Sequence, residues 1–130
     1  MAAPKNVETA KALLALCEAR QSVAKGIDAK KYPALVAEAH YEIVKEMITA
    51  LLALEGFKCY SHVCLIAFVR EYHAKSFSEA EIEIMDKLRK IRNDIGYRGV
   101  FTGADFVERN EKAVHSIIKK LDALVRGKIE

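Results

Sequence analysis

The stretch ALVAEAHYEIVKEMITALLAL, residues 34–54, decides the fold of this chain. Its apolar residues recur at spacings of three and four, which places them on one face of a helix. Pro33 stands before it at a position that suits a first helical turn, and Gly56 follows where a left-handed C-cap is expected. These features predict one long amphipathic helix.

Four other segments are also predicted to be helical. Residues 7–24 carry one apolar face and end before Gly26. Residues 61–73 are apolar nearly all round, which is typical of a buried helix, so this segment is predicted to be central. Two further helices open at a hydroxyl residue followed three positions later by an acid and end at glycine. The opening pairs are Ser78 with Glu81 and Thr102 with Asp105, and the glycines are Gly96 with Gly99 for the fourth helix and Gly127 for the fifth.

The composition of the chain favours helices over strands. Hydrophobic residues make up 52% of the 130 residues and charged residues 30%, a balance typical of globular proteins and unlike that of disordered ones. Six glycines and two prolines leave little room for the tight turns of a many-stranded fold. We therefore predict one domain over residues 1–130, an all-α antiparallel bundle of about five helices.

The cysteines and the apolar runs bear on the cellular compartment. Cys17, Cys59 and Cys64 are odd in number and lack a CxxC spacing, so the sequence predicts small apolar core residues rather than a disulfide framework or a zinc site. The longest apolar runs, 47–54 and 59–69, fall short of the roughly 18 residues that a membrane span needs. A cytoplasmic domain with no metal, no cofactor and no membrane contact is therefore expected.

The net charge is concentrated in one segment, DKLRKIRNDIGYR at residues 86–98. Its five basic and two acidic residues leave an excess of three, equal to the net charge of +3 of the whole chain. Such a patch at a helix end is suited to phosphate groups, and the alternative is a solvated helix face with local ion pairs. The basic residues are Lys87, Arg89, Lys90, Arg92 and Arg98, and the acidic ones are Asp86 and Asp94.

Arg92 has a special position in this segment. It lies about 100° from the apolar Ile91 around the helix, at the edge of the buried face. A half-covered guanidinium needs an acceptor, which is either a carboxylate or a phosphate. Gly96 is predicted to break the helix just before Tyr97. The simplest alternative pairs Arg92 with an acid of a neighbouring helix and packs Tyr97 on the helix end.

Three stretches, in this order, resemble the HEPN superfamily (higher eukaryotes and prokaryotes nucleotide-binding domain). They are ALLALEG at residues 50–56, YSHVCLI at 60–66 and IMDKLRKIRNDIGY at 84–97. The resemblance extends over residues 35–125. The signature of the family is an Arg followed by a polar residue, with a His four to six residues further on. Arg92 and Asn93 match its first half, and Tyr97 stands at the His position.

The resemblance implies a dimer in which two motifs meet across a cleft. In members with the complete motif this cleft cleaves RNA without a metal, because His assists attack by the ribose 2′-OH and Arg steadies the charge on phosphorus. A tyrosine of ordinary pKa, about 10, is only about 0.1% ionised at pH 7 and is a poor base. An arginine patch binds phosphate without a base, so binding without catalysis is the leading interpretation.

Candidate site residues follow from the segment and the resemblance together. The candidate catalytic residues are Arg92, Tyr97 and His62, the last as a replacement base near the start of the third helix, where a His otherwise caps or packs the helix. The candidate nucleic-acid-binding residues are Arg89, Lys90, Arg92, Asn93 and Arg98.

The resemblance also implies partners. In toxin–antitoxin pairs of this family the HEPN protein is the toxin and a small nucleotidyltransferase is the antitoxin, so a homodimer, an RNA or nucleotide ligand and a nucleotidyltransferase partner are expected. Some of these antitoxins add AMP to a tyrosine two residues beyond the motif His. Gly99 stands there, so that modification is not expected.

Three functions stay open at this point. The first is an RNA- or nucleotide-binding module of a toxin–antitoxin or defence system, with weakened or absent catalysis. The second is a metal-independent endoribonuclease that uses Arg92 with Tyr97 or His62. The third is a structural dimerisation or assembly domain whose basic patch is solvated surface.

Overall fold

The computed structural model describes residues 2–101 and 103–130, which form a bundle of five α-helices. Within these residues the β contacts are limited to an isolated bridge between Ala2 and Phe57. The all-α bundle expected from the sequence is confirmed. In chain order the helices are α1 (Val7–Lys25), α2 (Pro33–Glu55), α3 (His62–Tyr72), α4 (Glu79–Asn93) and α5 (Ala104–Ile129), and a π-helical turn (Asp94–Arg98) continues α4.

Local signals set several helix ends, and two of these ends, at Gly56 and at Ser78 with Glu81, were predicted from the sequence. The side chain of Asn6 accepts a hydrogen bond from the backbone N–H of Thr9, 2.9 Å away, and caps α1. Ser78 and Glu81 form the predicted capping box at the start of α4. Gly56 ends α2 with a φ of 80°, a conformation that favours glycine. These ends follow from short-range chemistry.

The central helix is α2, which contacts all four other helices. More than half of its 23 residues are buried, including Met47 and Leu51. The prediction that the third helix would be central is wrong, because α3 buries only four of its 11 residues and leaves Val63 62% exposed. An apolar composition shows that a helix can be buried, but neighbouring helices must be present on every side to bury it.

Two predicted helix ends are also wrong. At Gly96 the backbone stays helical and passes through the π-helical turn. That turn ends at Gly99 with a φ of 65°, so Gly99, the other glycine predicted to close the fourth helix, is confirmed. Gly127 lies inside α5. Since a glycine weakens a helix by only about 1 kcal/mol, packing around it decides whether the helix continues. Thr102, the predicted N-cap of α5, lies outside the described residues.

The cysteines are the other correction. Cys59 and Cys64 form a disulfide, with their Cα atoms 5.6 Å apart, across the start of α3. The prediction that all three cysteines are reduced core residues is therefore wrong for Cys59 and Cys64. The odd number of cysteines argued against a disulfide, but it is explained by Cys17, which has no cysteine partner. Cys17 is free and buried, as predicted for a core residue, and burial raises the pKa of its thiol to about 12.

Candidate functional site

The basic segment forms the last two turns of α4 and the π-helical turn, and two of its cations are ordinary surface charges. Nζ of Lys90 lies 3.4 Å from Asp86, and Nη1 of Arg98 lies 3.7 Å from Asp94. Both cationic side chains are exposed, and ion pairs between neighbouring turns of this kind contribute little to stability. The solvated-face interpretation fits Lys90 and Arg98.

Arg89 and Arg92 are more covered than these surface cations. Nε of Arg89 donates a hydrogen bond to Asp86 within α4, at 2.8 Å. Nε of Arg92 donates to Oε1 of Glu42 on α2, at 3.4 Å, and the Arg92 side chain is 30% exposed. The neighbouring acid anticipated for a half-covered Arg92 is therefore Glu42.

Glu42 is shared by two cations. Its other oxygen, Oε2, lies 2.7 Å from Nζ of Lys45, one turn further along α2. Burial alone would raise the pKa of the Glu42 carboxyl, but Lys45 and Arg92 outweigh burial and hold that pKa below its usual value. The carboxylate is consequently ionised at neutral pH and joins α2 to α4.

Gly96 leaves room for the guanidinium of Arg92. A Cβ at position 96 would lie 2.9 Å from Nη1 of Arg92, so a side chain there would displace the guanidinium. The π-helical turn places Gly96 in this position. Such turns inside helices occur frequently at functional sites.

His62 is the first residue of α3 and is held by Tyr41 of α2. The two rings stack with their centroids 5.6 Å apart, and the Tyr41 hydroxyl is hydrogen-bonded to Nδ1 of His62. Tyr41 is buried and its hydroxyl has no other partner among the described residues, so we assign the hydroxyl as the donor and Nδ1 as the acceptor. A neutral His62 therefore carries its own proton on Nε2.

The surroundings keep both rings neutral. Burial raises the pKa of Tyr41 to about 12. Burial, followed by the charges of Lys45 and Arg92, lowers the pKa of His62 below its ordinary value. At neutral pH His62 thus presents an N–H donor at Nε2, and its acceptor nitrogen is already occupied by Tyr41.

Three of the predicted site residues come together with two residues that were not predicted. Glu42 of α2 contacts both Arg92 of α4 and Lys45, and the neighbouring Tyr41 is hydrogen-bonded to His62 of α3. The charges of Lys45, Arg92, Glu42 and Arg89 all influence the pKa of His62. We call Glu42, Lys45, His62, Arg89 and Arg92 the cationic cluster.

Two other predicted residues stand apart from these contacts. Tyr97 is 79% exposed, so it does not pack on the helix end. Its hydroxyl makes no hydrogen bond with any residue in the described part of the chain. Asn93 is half-buried at the last position of α4, and its side chain makes no hydrogen bond within 2–101 and 103–130 either. The geometry therefore assigns neither residue a partner in the cationic cluster.

Tyr41, Glu42 and Lys45 were missed by sequence reasoning. The signal that could have found them is the placement of charged residues in the most apolar helix, since charges in a buried helix require partners. Glu42 and Lys45 are three residues apart and so face the same side of α2. Their partner in α4 is distant in sequence.

Comparisons with protein-family models, with curated proteins and with solved structures give no match to this chain. Across residues 2–101 and 103–130, no group of three or more His, Cys, Asp or Glu side chains is arranged to hold a metal ion. In the same residues, no helix combines the length and the apolar character needed to span a membrane.

Proposed function

We propose that this chain is a HEPN-like module that binds RNA or a nucleotide through phosphate, with weakened or absent catalysis, in a toxin–antitoxin or defence system. The observation that carries the proposal is the Glu42 carboxylate shared by Arg92 at 3.4 Å and Lys45 at 2.7 Å. Two cations from different helices that hold one oxyanion are placed to hold another. A phosphate oxygen accepts the same charge-assisted hydrogen bonds.

The other members of the cationic cluster suit the same ligand. His62 offers the N–H at Nε2, which is a donor at neutral pH. Arg89 adds a positive charge that is only partly neutralised by Asp86, since Asp86 also pairs with Lys90. Donors and positive charge bind phosphate regardless of base sequence, so this cluster supports positioning of a nucleic-acid backbone.

The same geometry supports binding over cleavage. A general base needs a free acceptor nitrogen or oxygen beside the ribose hydroxyl. The acceptor nitrogen of His62 is engaged by Tyr41. The Tyr97 hydroxyl is exposed and has no described neighbour to take its proton. The metal-independent endoribonuclease is therefore the second candidate, not the first.

We propose further that the chain forms a homodimer through the face that carries Arg92, with a nucleotidyltransferase as the partner in its system. Large apolar side chains are exposed on the elements that hold the cationic cluster: Tyr60 at 72% and Val63 at 62% near the start of α3, and Tyr97 at 79% on the π-helical turn. A contiguous exposed apolar surface is typical of interaction sites, so the proposed dimer requires these side chains to lie on one face.

The direct test is binding of a fluorescently labelled single-stranded RNA, followed by anisotropy, to the wild type and to Arg92→Ala. Loss of a charge-assisted hydrogen bond of about 1.5–3 kcal/mol should weaken binding about tenfold or more. The matched control is Arg126→Ala, because Arg126 is exposed near the end of α5 and pairs with Asp122 at 2.9 Å. Equal affinities of the wild type and Arg92→Ala would overturn the proposal.

An RNA cleavage assay in EDTA separates the alternatives. We expect no cleavage by the wild type. Cleavage that is lost in Arg92→Ala would establish the endoribonuclease instead, and comparison of His62→Ala with Tyr97→Phe would then identify the base. If the wild type neither cleaves RNA nor binds it at low salt, the third function, a structural assembly domain, is the one supported.

A further inference from the structure

The disulfide between Cys59 and Cys64 encloses one residue of the cationic cluster. The two cysteines are five positions apart in the sequence, and His62 lies between them as the first residue of α3. The backbone on either side of His62 is therefore closed into a short covalent ring. Both cysteines are partly exposed, and access to the sulfur atoms is what thiol–disulfide exchange requires.

Few contacts other than the disulfide hold this ring in place. The remaining residues inside it, Tyr60, Ser61 and Val63, are exposed, and the first buried residue of α3 is Leu65. Ser61 caps α3 by accepting a hydrogen bond from the backbone N–H of Cys64, at 3.1 Å, so that bond stays within the ring. The contact of His62 with Tyr41 is the hydrogen bond that joins the ring to α2.

The third cysteine does not compete in thiol chemistry with this pair. Cys17 is fully buried, and burial raises the pKa of its thiol to about 12, so the thiol stays protonated at neutral pH and does not attack a disulfide. Cys64, by contrast, lies in the first turn of α3, and cysteines at the start of a helix are among those that exchange most readily. Thiol–disulfide exchange in this chain is therefore confined to Cys59 and Cys64.

We propose that the Cys59–Cys64 pair is a redox switch that controls the position of His62 in the cationic cluster, and thereby the affinity of the cluster for phosphate. The effect on RNA rests on the proposed function, whereas the effect on His62 does not. The reductant is a dithiol. One of its thiolates attacks a sulfur of the S–S bond and forms a mixed disulfide, which the second thiolate then breaks. Two electrons and two protons pass to the cysteines, and the dithiol becomes a disulfide.

The switch acts through the hydrogen bond between Tyr41 and His62. In the oxidised protein the ring holds His62 beside Tyr41, and Nε2 offers its N–H to the ligand. Reduction opens the ring, and the exposed stretch regains the conformational freedom that ring closure removes. His62 then spends less time on Tyr41, and the cluster loses a donor. RNA binding should weaken about fivefold, which corresponds to the loss of one neutral hydrogen bond.

NMR of the imidazole nitrogens tests the switch without RNA. Spectra of the full chain are recorded before and after reduction with dithiothreitol. We expect the nitrogen signals of His62 to shift and those of His73 to stay. His73 is the internal control, because it caps the other end of α3 and bonds to Glu55 at 2.7 Å. Unchanged His62 signals would show that the ring does not position His62, and equal shifts at His73 would show a general loosening of α3. Either result overturns the proposal.

Binding of a labelled single-stranded RNA is then compared in the oxidised and the reduced protein. We expect weaker binding after reduction of the wild type and no effect of the reductant in His62→Ala. A protein with both Cys59→Ser and Cys64→Ser should bind like the reduced wild type. Cys17→Ala is the matched control and should respond to the reductant as the wild type does.

The outcomes separate the switch from the proposed function. If RNA binds equally well in both redox states, redox control of the cationic cluster is overturned and the proposed function stands. If RNA binds in neither state, the proposed function is overturned, and the His62 spectra alone decide whether the disulfide positions this side chain.

Discussion

Nε of Arg92 on α4 donates a hydrogen bond to Oε1 of Glu42 on α2, 3.4 Å away and 50 positions earlier in the chain. This contact is long for a charged pair, whereas the bond from Lys45 to the same carboxylate is 2.7 Å. The carboxylate therefore offsets one of the positive charges of the cationic cluster in the free protein. A bound phosphate would compete with it for the same two cations.

Glu42→Gln should strengthen RNA binding. The substitution removes a negative charge from the centre of the cationic cluster, and a unit charge at about 4 Å is worth about 1 kcal/mol in water, or about fivefold in affinity. Anisotropy with labelled single-stranded RNA measures this change. Glu79→Gln is the control, since Glu79 is an exposed acid at the start of α4 that pairs with Arg70. Weaker binding by Glu42→Gln would mean that Glu42 positions Arg92 instead of competing with phosphate.

Tyr41→Phe should remove the hydrogen bond that fixes the tautomer of His62. The variant lacks the proton that Tyr41 donates to Nδ1, so both neutral tautomers of His62 become populated and about 1 kcal/mol of folding stability is lost. Nitrogen chemical shifts of the imidazole report the tautomer directly. The wild type should show a protonated Nε2 and an unprotonated Nδ1. Identical His62 nitrogen shifts in both proteins would contradict the assigned hydrogen bond, and Tyr72→Phe, at a half-exposed position, serves as the control.

Removal of the disulfide should destabilise the start of α3. Replacement of Cys59 and Cys64 by Ser opens a short loop, and loop closure of this length contributes about 2 kcal/mol in the chain-entropy account. Urea unfolding of the variant and of the wild type, with and without a reductant, measures the effect. Reduced wild type should match the double variant. A reductant that leaves the stability of the wild type unchanged would show that the two thiols are not joined in solution.

His40 should make stability depend on pH. Burial, then the charge of His115, lowers its pKa from 6.5 to about 4, against the opposing influence of Glu111. Because the unfolded chain binds a proton more readily than the folded chain, His40 lowers the free energy of unfolding as the pH falls from 6.5 towards 4, and it has no such effect above pH 6.5. The upper limit of this loss is about 3 kcal/mol.

Urea unfolding at pH 7.5 and at pH 4 checks this contribution. The wild type should lose more stability between the two pH values than His40→Leu, whose side chain does not titrate. A loss of the same size in the two proteins would assign the pH dependence to other groups.

Short-range chemistry explains which parts of the fold could be predicted. The Ser78–Glu81 capping box and the left-handed Gly56 depend on a few neighbouring residues, and each occurs where the pattern placed it. The central position of α2 depends on all four other helices, so periodicity alone assigned that position to the wrong segment. Gly96 shows the same limit, because its place beside the guanidinium of Arg92 appears only in the folded chain.

The same difference between short-range and long-range contacts explains which residues of the candidate site could be predicted. Arg92 and His62 stood out through their positions in the sequence, and the structure places both in the cationic cluster. Glu42 and Lys45 were missed because their role comes from a contact with α4 that only the folded chain creates. The Tyr41 bond to His62 is likewise long-range, and it changes the chemistry expected of His62 from a base to a donor.

The salt dependence of RNA binding tests the central claim most directly. Binding constants for a short single-stranded RNA are measured over a range of potassium chloride concentrations for the wild type, Arg92→Ala and the control Arg126→Ala. Each phosphate contact on a single strand contributes about 0.7 to the slope of log K against log salt. We predict a steep slope for the wild type and for Arg126→Ala, and a slope smaller by about 0.7 for Arg92→Ala. A wild-type affinity that does not change with salt, or the same slope in all three proteins, would contradict phosphate binding at Arg92.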